Sequence, residues 1–126
     1  MTNRPILLVE DDRDIREILA ETLEEEGFDV VTAENGRMAL DEIRGTSSSP
    51  SAILLDLMMP VMDGYAFLEE RRRDPALASI PVAIITAGDR VDMERIGGIP
   101  ILAKPIDVPQ LIRVLRDLQE GGGRHV

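Results

Sequence analysis

Short apolar runs alternate along the chain with longer stretches in which apolar residues recur every three or four positions. The short runs have the length of strands, and the longer stretches have the period of amphipathic helices. Five such pairs follow one another, which predicts an α/β fold: a doubly wound, parallel sheet of five strands with five helices. The strand-like runs cover residues 6–9, 28–33, 52–55, 80–85 and 99–103.

The helices between these runs begin and end at recognisable signals. Asp12 is expected to cap the first helix, 13–26, and Gly27 to stop it. Asp107, with Gln110 three positions later, forms a capping-box pattern before the last helix. The second helix is expected to turn three side chains inward, namely Met38, Ala39 and Ile43. The arginine run after the third strand is expected to be a solvated helix face; it consists of Arg71, Arg72 and Arg73.

The length of 126 residues fits one domain. We expect this domain to cover residues 1–120 and to be followed by a flexible, glycine-rich tail, 121–126. No apolar run exceeds four residues, so a membrane span is not expected. The start of the chain has no signal-peptide pattern, and the protein is expected to be soluble and cytoplasmic.

Composition excludes several kinds of chemistry. The chain has 14 Lys and Arg against 24 Asp and Glu, a formal net charge of -10 that repels nucleic-acid phosphates and anionic bilayers. Direct nucleic-acid binding is therefore not expected. There is no cysteine, and the one histidine, His125, lies next to the C-terminal residue. Thiolate or imidazole sites are consequently not expected either.

Polar residues collect where the predicted strands end. Glu10, Asp11 and Asp12 follow the first strand, and single polar residues, Asp56, Thr86 and Lys104, follow the third, fourth and fifth. In doubly wound sheets, ligands bind at the carboxyl ends of the strands, where the strand order reverses. In a flavodoxin-like order, 2-1-3-4-5, the first and third strands are neighbours. The acidic residues of these two strands would then face each other.

Several carboxylates in one cleft favour a hard divalent cation, and without cysteine or histidine we expect Mg2+. Asp12 is excluded from the metal ligands because it is expected to cap the first helix. Lys104 and Thr86 would bind the oxygens of an incoming phosphoryl group. Asp56, central among these groups, is the expected nucleophile.

These residues resemble the receiver domain of two-component response regulators, and the resemblance spans essentially the whole chain. The matching pieces are Leu8-Val9-Glu10-Asp11-Asp12, the run from Leu55-Asp56 through Pro60 to Asp63-Gly64, Thr86-Ala87 and Lys104-Pro105. The resemblance implies a phosphorelay protein that is not an enzyme acting on other substrates. A sensor histidine kinase or a histidine phosphotransfer protein would phosphorylate Asp56, and the signal would pass to a downstream protein by direct contact.

The resemblance also implies a role for each matching residue. Glu10 and Asp11 correspond to the acidic pair that organises Mg2+, with Asp11 favoured as the direct ligand beside Asp56. The backbone carbonyl of Met58 would complete the protein ligands. Thr86 corresponds to the switch hydroxyl, and Lys104 corresponds to the phosphate-contacting lysine. The peptide bond between Lys104 and Pro105 is expected to be cis.

The sequence departs from the family pattern in the region that carries the output surface. Ile101 stands where the family has an aromatic residue, three positions before the lysine. The interval from Thr86 to Lys104, 18 positions, is short by roughly one helical turn, which predicts a shortened fourth helix within 88–96.

Two alternative functions stay open. One is a receiver-like adaptor that works without phosphorylation. The other is a magnesium-dependent aspartyl phosphatase. Enzymes of that class have a second acid two positions after the nucleophile, where this chain has Met58.

Overall fold

The computed structural model describes residues 4–46, 49–88 and 90–121 and contains one parallel sheet of five strands in the order 2-1-3-4-5. The predicted fold class and strand order are confirmed. The strands are β1 (Ile6–Val9), β2 (Val30–Ala33), β3 (Ala52–Asp56), β4 (Val82–Thr86) and β5 (Ile101–Ala103). β1 pairs with both β2 and β3, so the strand order reverses beside β1.

The described residues contain six helices rather than the predicted five. They are α1 (Arg13–Glu25), α2 (Gly36–Arg44), α3 (Gly64–Arg73), α4 (Pro75–Ala78), α5 (Met93–Ile96) and α6 (Val108–Gly121). The unpredicted helix is α4, whose four residues are too few to show a helical period. Its signal is local: Pro75 stands in the first turn, and the Asp74 carboxylate accepts a hydrogen bond from Ala76 N at 3.0 Å.

Arg71 corrects the expectation of a solvated arginine face. Its guanidinium is half-buried and donates from Nε and Nη2 to the carbonyl oxygen of Ile80, at 3.0 and 2.7 Å. Burial lowers the pKa of this arginine from its ordinary value. Arg71 therefore fixes the segment between α4 and β4, and only Arg72 and Arg73 are exposed as predicted.

Alternate side chains of each central strand point to opposite faces of the sheet and form two separate cores. In β1, Leu7 and Val9 pack on the face covered by α2 and α3, whereas Ile6 and Leu8 pack on the face covered by α1 and α6. All residues of β3 are buried, because helices cover both faces of the sheet, and this explains the uninterrupted apolar run of this strand. Both cores hold the carboxyl ends of the strands in one fixed arrangement.

The strands at β4 and β5 begin two residues later than predicted because a proline stands directly before each of them. Pro81 and Pro100 have no N–H to donate to a neighbouring strand, but their carbonyls accept hydrogen bonds, from Ile53 N at 2.9 Å and Ile84 N at 2.8 Å. β2 also begins two residues later than predicted, at Val30. Phe28 packs into the core although it is not part of the strand. β2 lies at an edge of the sheet, which agrees with the mixed polarity of its residues.

Helix starts agree with the predicted caps. The Asp12 carboxylate accepts from Ile15 N at 3.0 Å, and the Asp107 carboxylate accepts from Gln110 N at 3.2 Å. Met38 is a wrong prediction: it is exposed, whereas Ala39 and Ile43 are buried. The helix predicted as the fourth, within 88–96, corresponds to α5. It has four residues, so its shortening is confirmed. α6 continues to Gly121, and the rest of the predicted tail, 122–126, lies outside the described residues.

Candidate functional site

The candidate site lies at the carboxyl edge of the sheet, where four neighbouring strands end. Glu10 and Lys104 directly follow β1 and β5, and Asp56 and Thr86 are the last residues of β3 and β4. β1 and β3 are adjacent, with Val9 paired to Leu55. The fold therefore brings together residues that are far apart in the sequence, at the position where doubly wound sheets bind ligands.

Lys104 lies between two buried carboxylates. Its Nζ is 3.0 Å from Oε1 of Glu10 and 3.6 Å from Oδ2 of Asp56. Glu10 is 0% exposed, Asp56 is 3% exposed, and the Lys104 side chain is 18% exposed. Two carboxylates thus share one ammonium group in a region that is nearly closed to solvent.

This imbalance changes the acidity of Asp56. Burial, followed by the negative charge of Glu10, raises the pKa of Asp56 from 3.8 to about 7. A hydrogen bond from Met58 N to Asp56 Oδ1, at 3.1 Å, and the charge of Lys104 act in the opposite direction. Burial would lower the pKa of Lys104, but its contacts with Glu10 and Asp56 outweigh that effect and raise it.

Three acidic side chains at this pocket are suited to binding a divalent cation. Glu10, Asp11 and Asp56 each offer a carboxylate oxygen, and these oxygens lie within 4.8 Å of one another. Glu10 Oε1 is buried and accepts no hydrogen bond among the described residues, although Lys104 Nζ is near it. A donor set that consists of carboxylate oxygens alone fits Mg2+. The carboxylate of Asp12 caps α1 instead, as predicted.

Thr86, the last residue of β4, lies at the same edge of the sheet and is 4% exposed. Its Oγ1 accepts a hydrogen bond from Gly88 N at 3.0 Å, so the hydroxyl hydrogen remains to donate. Its carbonyl accepts from Lys104 N at 2.9 Å, which ties β4 to the residue that follows β5. The peptide bond between Lys104 and Pro105 is cis, as the sequence predicted.

The loop after β3 carries Met58, whose backbone N–H holds Asp56 and whose side chain is exposed. The loop is closed by a hydrogen bond from Gly64 N to Leu57 O at 2.9 Å. A Cβ atom on Gly64 would lie 2.7 Å from Leu57 Cα and 2.8 Å from the carbonyl oxygen of Asp56. The need for glycine here was not predicted, although the Asp63-Gly64 pair is a recognisable turn signal.

The sequence also gave no sign of how the short α5 is held. The Tyr65 hydroxyl accepts a hydrogen bond from Asp92 N at 2.9 Å, and the Arg95 guanidinium lies 4.5 Å from the centre of the Tyr65 ring. Arg95 also forms an ion pair of 2.9 Å with Glu69. α5 is thereby attached to α3, while Ile101 is a half-buried side chain packed against the core on the same face.

The fold and the site together define a doubly wound α/β domain with an acidic pocket at its switch point. The family model of the response regulator receiver domain matches residues 6–116. The chain therefore belongs to the receiver domains of two-component response regulators.

Individual relatives agree with this assignment. The response regulator Rre1 of Synechocystis is 36% identical over 118 residues, which are 90% of this chain and 50% of that protein. The transcriptional regulatory protein CpxR homolog of Haemophilus influenzae is 38% identical over 112 residues, 85% of this chain and 46% of that protein. The chain thus spans about half the length of these curated relatives.

Solved structures match over nearly the whole chain. The signal receiver domain of a signal transduction histidine kinase from Syntrophus aciditrophicus has a TM-score of 0.81 and 30% identity, covering 98% of this chain and 95% of that one. The chemotaxis protein CheY4 of Vibrio cholerae has a TM-score of 0.80 and 27% identity, covering 91% and 98%. Within the described residues, no helix has the length and apolar character needed to cross a membrane.

Proposed function

We propose that the protein is a phosphoacceptor of a two-component phosphorelay and that Asp56 receives the phosphoryl group. The observation that carries this proposal is the burial of Asp56 beside both Glu10 and Lys104, with Asp11 at the open side of the same pocket. A buried acid at a strand end costs stability, and ionisable groups with pKa values shifted by burial and neighbouring charges occur frequently at functional sites. Such a site suits a carboxylate nucleophile with charged groups arranged around it.

In the proposed reaction, a carboxylate oxygen of Asp56 attacks the phosphorus of a phosphohistidine. A new P–O bond forms, the P–N bond breaks, and the electron pair of that bond returns to the imidazole nitrogen of the donor. The donor is a sensor histidine kinase or a histidine phosphotransfer protein. The product on this chain is an acyl phosphate, so no oxidant or further reactant is needed.

Glu10, Asp11 and Asp56 would hold Mg2+ with the carbonyl oxygen of Met58. When bound there, the cation would offset the negative charge of the carboxylates and of the transferring group. Lys104 already lies within reach of Asp56 and would contact a phosphoryl oxygen. Thr86 would donate its hydroxyl hydrogen to another.

Phosphorylation would also supply the signal. An acyl phosphate adds roughly one negative charge to the pocket at neutral pH, together with new acceptor oxygens. Thr86 and Lys104, which are joined through Lys104 N and Thr86 O, would respond together. A downstream protein would read the resulting change by direct contact.

Labelling by acetyl phosphate, followed by mass spectrometry of the intact chain, tests this function. The wild type is expected to gain one phosphoryl group with Mg2+ and none with a chelator, and Asp56→Asn is expected to stay unlabelled. Asp63→Asn is the matched control, because Asp63 is an exposed acid of the same loop whose cap contact with Ala66 N, at 2.9 Å, asparagine can keep.

The labelling experiment also separates the alternatives. A wild type that stays unlabelled with Mg2+ would contradict the proposal and favour an adaptor that works without phosphorylation. Persistent labelling of Asp56→Asn would place the acceptor elsewhere. Rapid hydrolysis of many small phosphate esters would instead indicate an aspartyl phosphatase.

A further inference from the structure

Arg16, in the first part of α1, reaches back to the turn between β1 and α1. Its Nη1 donates to the carbonyl oxygen of Glu10 at 2.9 Å and to that of Asp11 at 3.4 Å. These carbonyls belong to the peptide groups on either side of the Asp11 Cα atom. One guanidinium group therefore contacts both peptide planes that set the direction of the Asp11 side chain.

Asp11 depends on this backbone support more than Glu10 does. The Glu10 carboxylate is fixed by Lys104 Nζ at 3.0 Å and by the N–H of Asp12, which donates to Oε2 at 3.1 Å. The Asp11 side chain is exposed, and within the part of the chain that the structure describes its carboxylate has no hydrogen-bond or ion-pair partner. Its placement within 4.8 Å of the other two carboxylates must therefore come from the backbone.

We propose that Arg16 is a positioning residue for the divalent-cation site. By holding the two carbonyls, it keeps the Asp11 carboxylate directed toward Glu10 and Asp56, and it touches neither the cation nor the phosphoryl group. The inference rests on the proposed function, because it gives Asp11 a task only if the pocket binds Mg2+. Groups that orient metal ligands are worth roughly 10- to 100-fold in metal affinity in well-studied sites.

The charge of Arg16 makes the proposal testable, because its charge and its positioning role have opposite effects on the affinity for Mg2+. A guanidinium near the pocket repels a dication, so loss of the charge alone would tighten Mg2+ binding. Loss of the two carbonyl contacts would weaken it. The sign of the change in affinity therefore distinguishes the two effects.

The first measurement is Mg2+ affinity by isothermal titration calorimetry, on the full chain. Arg16→Gln is expected to lower the affinity about tenfold, and Arg16→Lys, which keeps the charge and one donor group, is expected to recover part of that loss. The matched control is Arg13→Gln. Arg13 has the same charge on the same helix, but it is exposed and pairs with Glu17 at 3.5 Å. Its replacement is expected to leave the affinity unchanged.

The second measurement is amide hydrogen exchange of residues 10–13 in chelator, which requires no cation. Exchange in this turn is expected to be faster in Arg16→Gln than in the wild type and unchanged in Arg13→Gln. Urea unfolding of each variant, followed by circular dichroism, verifies that the fold is retained.

Each outcome decides one of the two proposals. Arg16→Gln that binds Mg2+ as tightly as the wild type, or more tightly, would overturn the positioning role, as would unchanged exchange of the turn. A wild type that binds no Mg2+ would instead overturn the metal site of the proposed function. The exchange result would then still decide whether Arg16 orders the turn.

Discussion

Replacement of Asp56 by asparagine is expected to stabilise the fold, although it removes the proposed phosphoacceptor. Asparagine has the same shape and can still accept the hydrogen bond from Met58 N. It removes one of the two buried carboxylates that share Lys104, and the pair of 3.0 Å between Lys104 and Glu10 remains. The substitution therefore relieves charge repulsion without opening a cavity.

The magnitude follows from the raised pKa of Asp56. A rise from 3.8 to about 7 corresponds to about 4 kcal/mol. Because the folded state holds the proton more tightly, the contribution of Asp56 to wild-type stability is greatest below the unfolded pKa and is lost as the pH rises from there through about 7. Asp56→Asn is thus expected to be more stable than the wild type by about 4 kcal/mol at pH 8 and by about half of that near pH 5.5.

Urea unfolding in chelator, followed by far-ultraviolet circular dichroism at both pH values, measures this difference. A stability gain that is the same at the two pH values would refute the reasoning, and so would a variant less stable than the wild type at pH 8. Added Mg2+ supplies a further check. It is expected to stabilise the wild type at pH 8 more than it stabilises Asp56→Asn, because the variant lacks one of the proposed ligands.

Two further substitutions test the surroundings of the pocket. Gly64→Ala is expected to destabilise the fold by about 2 kcal/mol or more, because the new Cβ would meet backbone atoms of Leu57 and Asp56 below 3 Å. Gly121→Ala, which meets nothing within 4 Å, is the control, and equal urea midpoints for the two variants would contradict the argument. Tyr65→Phe removes the acceptor for Asp92 N and is expected to cost about 1 kcal/mol locally. Hydrogen exchange of residues 92–96 should then become faster, and unchanged exchange would show that the hydroxyl does not hold α5.

The arrangement of the sheet could be predicted because its signals are local and repeated. The central strands β1, β3 and β4 contain uninterrupted apolar runs, and the helices begin at strong caps such as Asp12. The strand starts were less accurate because Phe28, Ile80 and Ile99 contribute to the cores without joining a ladder. Met38 was placed wrongly because apolar spacing alone does not distinguish the inner face of a helix from its margin.

The candidate site could be predicted as a set of residues but not as a set of contacts. Strand-end positions identified Glu10, Asp56 and Lys104, because parallel strands place their carboxyl ends at one edge. The sequence could not reveal that Tyr65 holds α5, since that contact joins two helices separated by α4 and β4 and depends on side-chain direction. The roles of Arg16 and Gly64 depend on distances to backbone atoms, which have no pattern along the chain.

The pocket differs from the rest of the core because it buries charged side chains, which costs folding free energy. Around it, strand residues such as Val9 and Leu55 are fully buried and apolar, as a parallel sheet requires. Glu10 and Asp56 are buried to nearly the same degree but share a single ammonium group, which leaves an uncompensated negative charge at high pH. A cation would remove that excess, whereas phosphorylation of Asp56 would increase it. The same repulsion that lowers stability would therefore make the pocket responsive both to a cation and to phosphorylation. Asp56→Asn removes the repulsion together with the proposed phosphoacceptor, so the more stable variant is expected to be the inactive one.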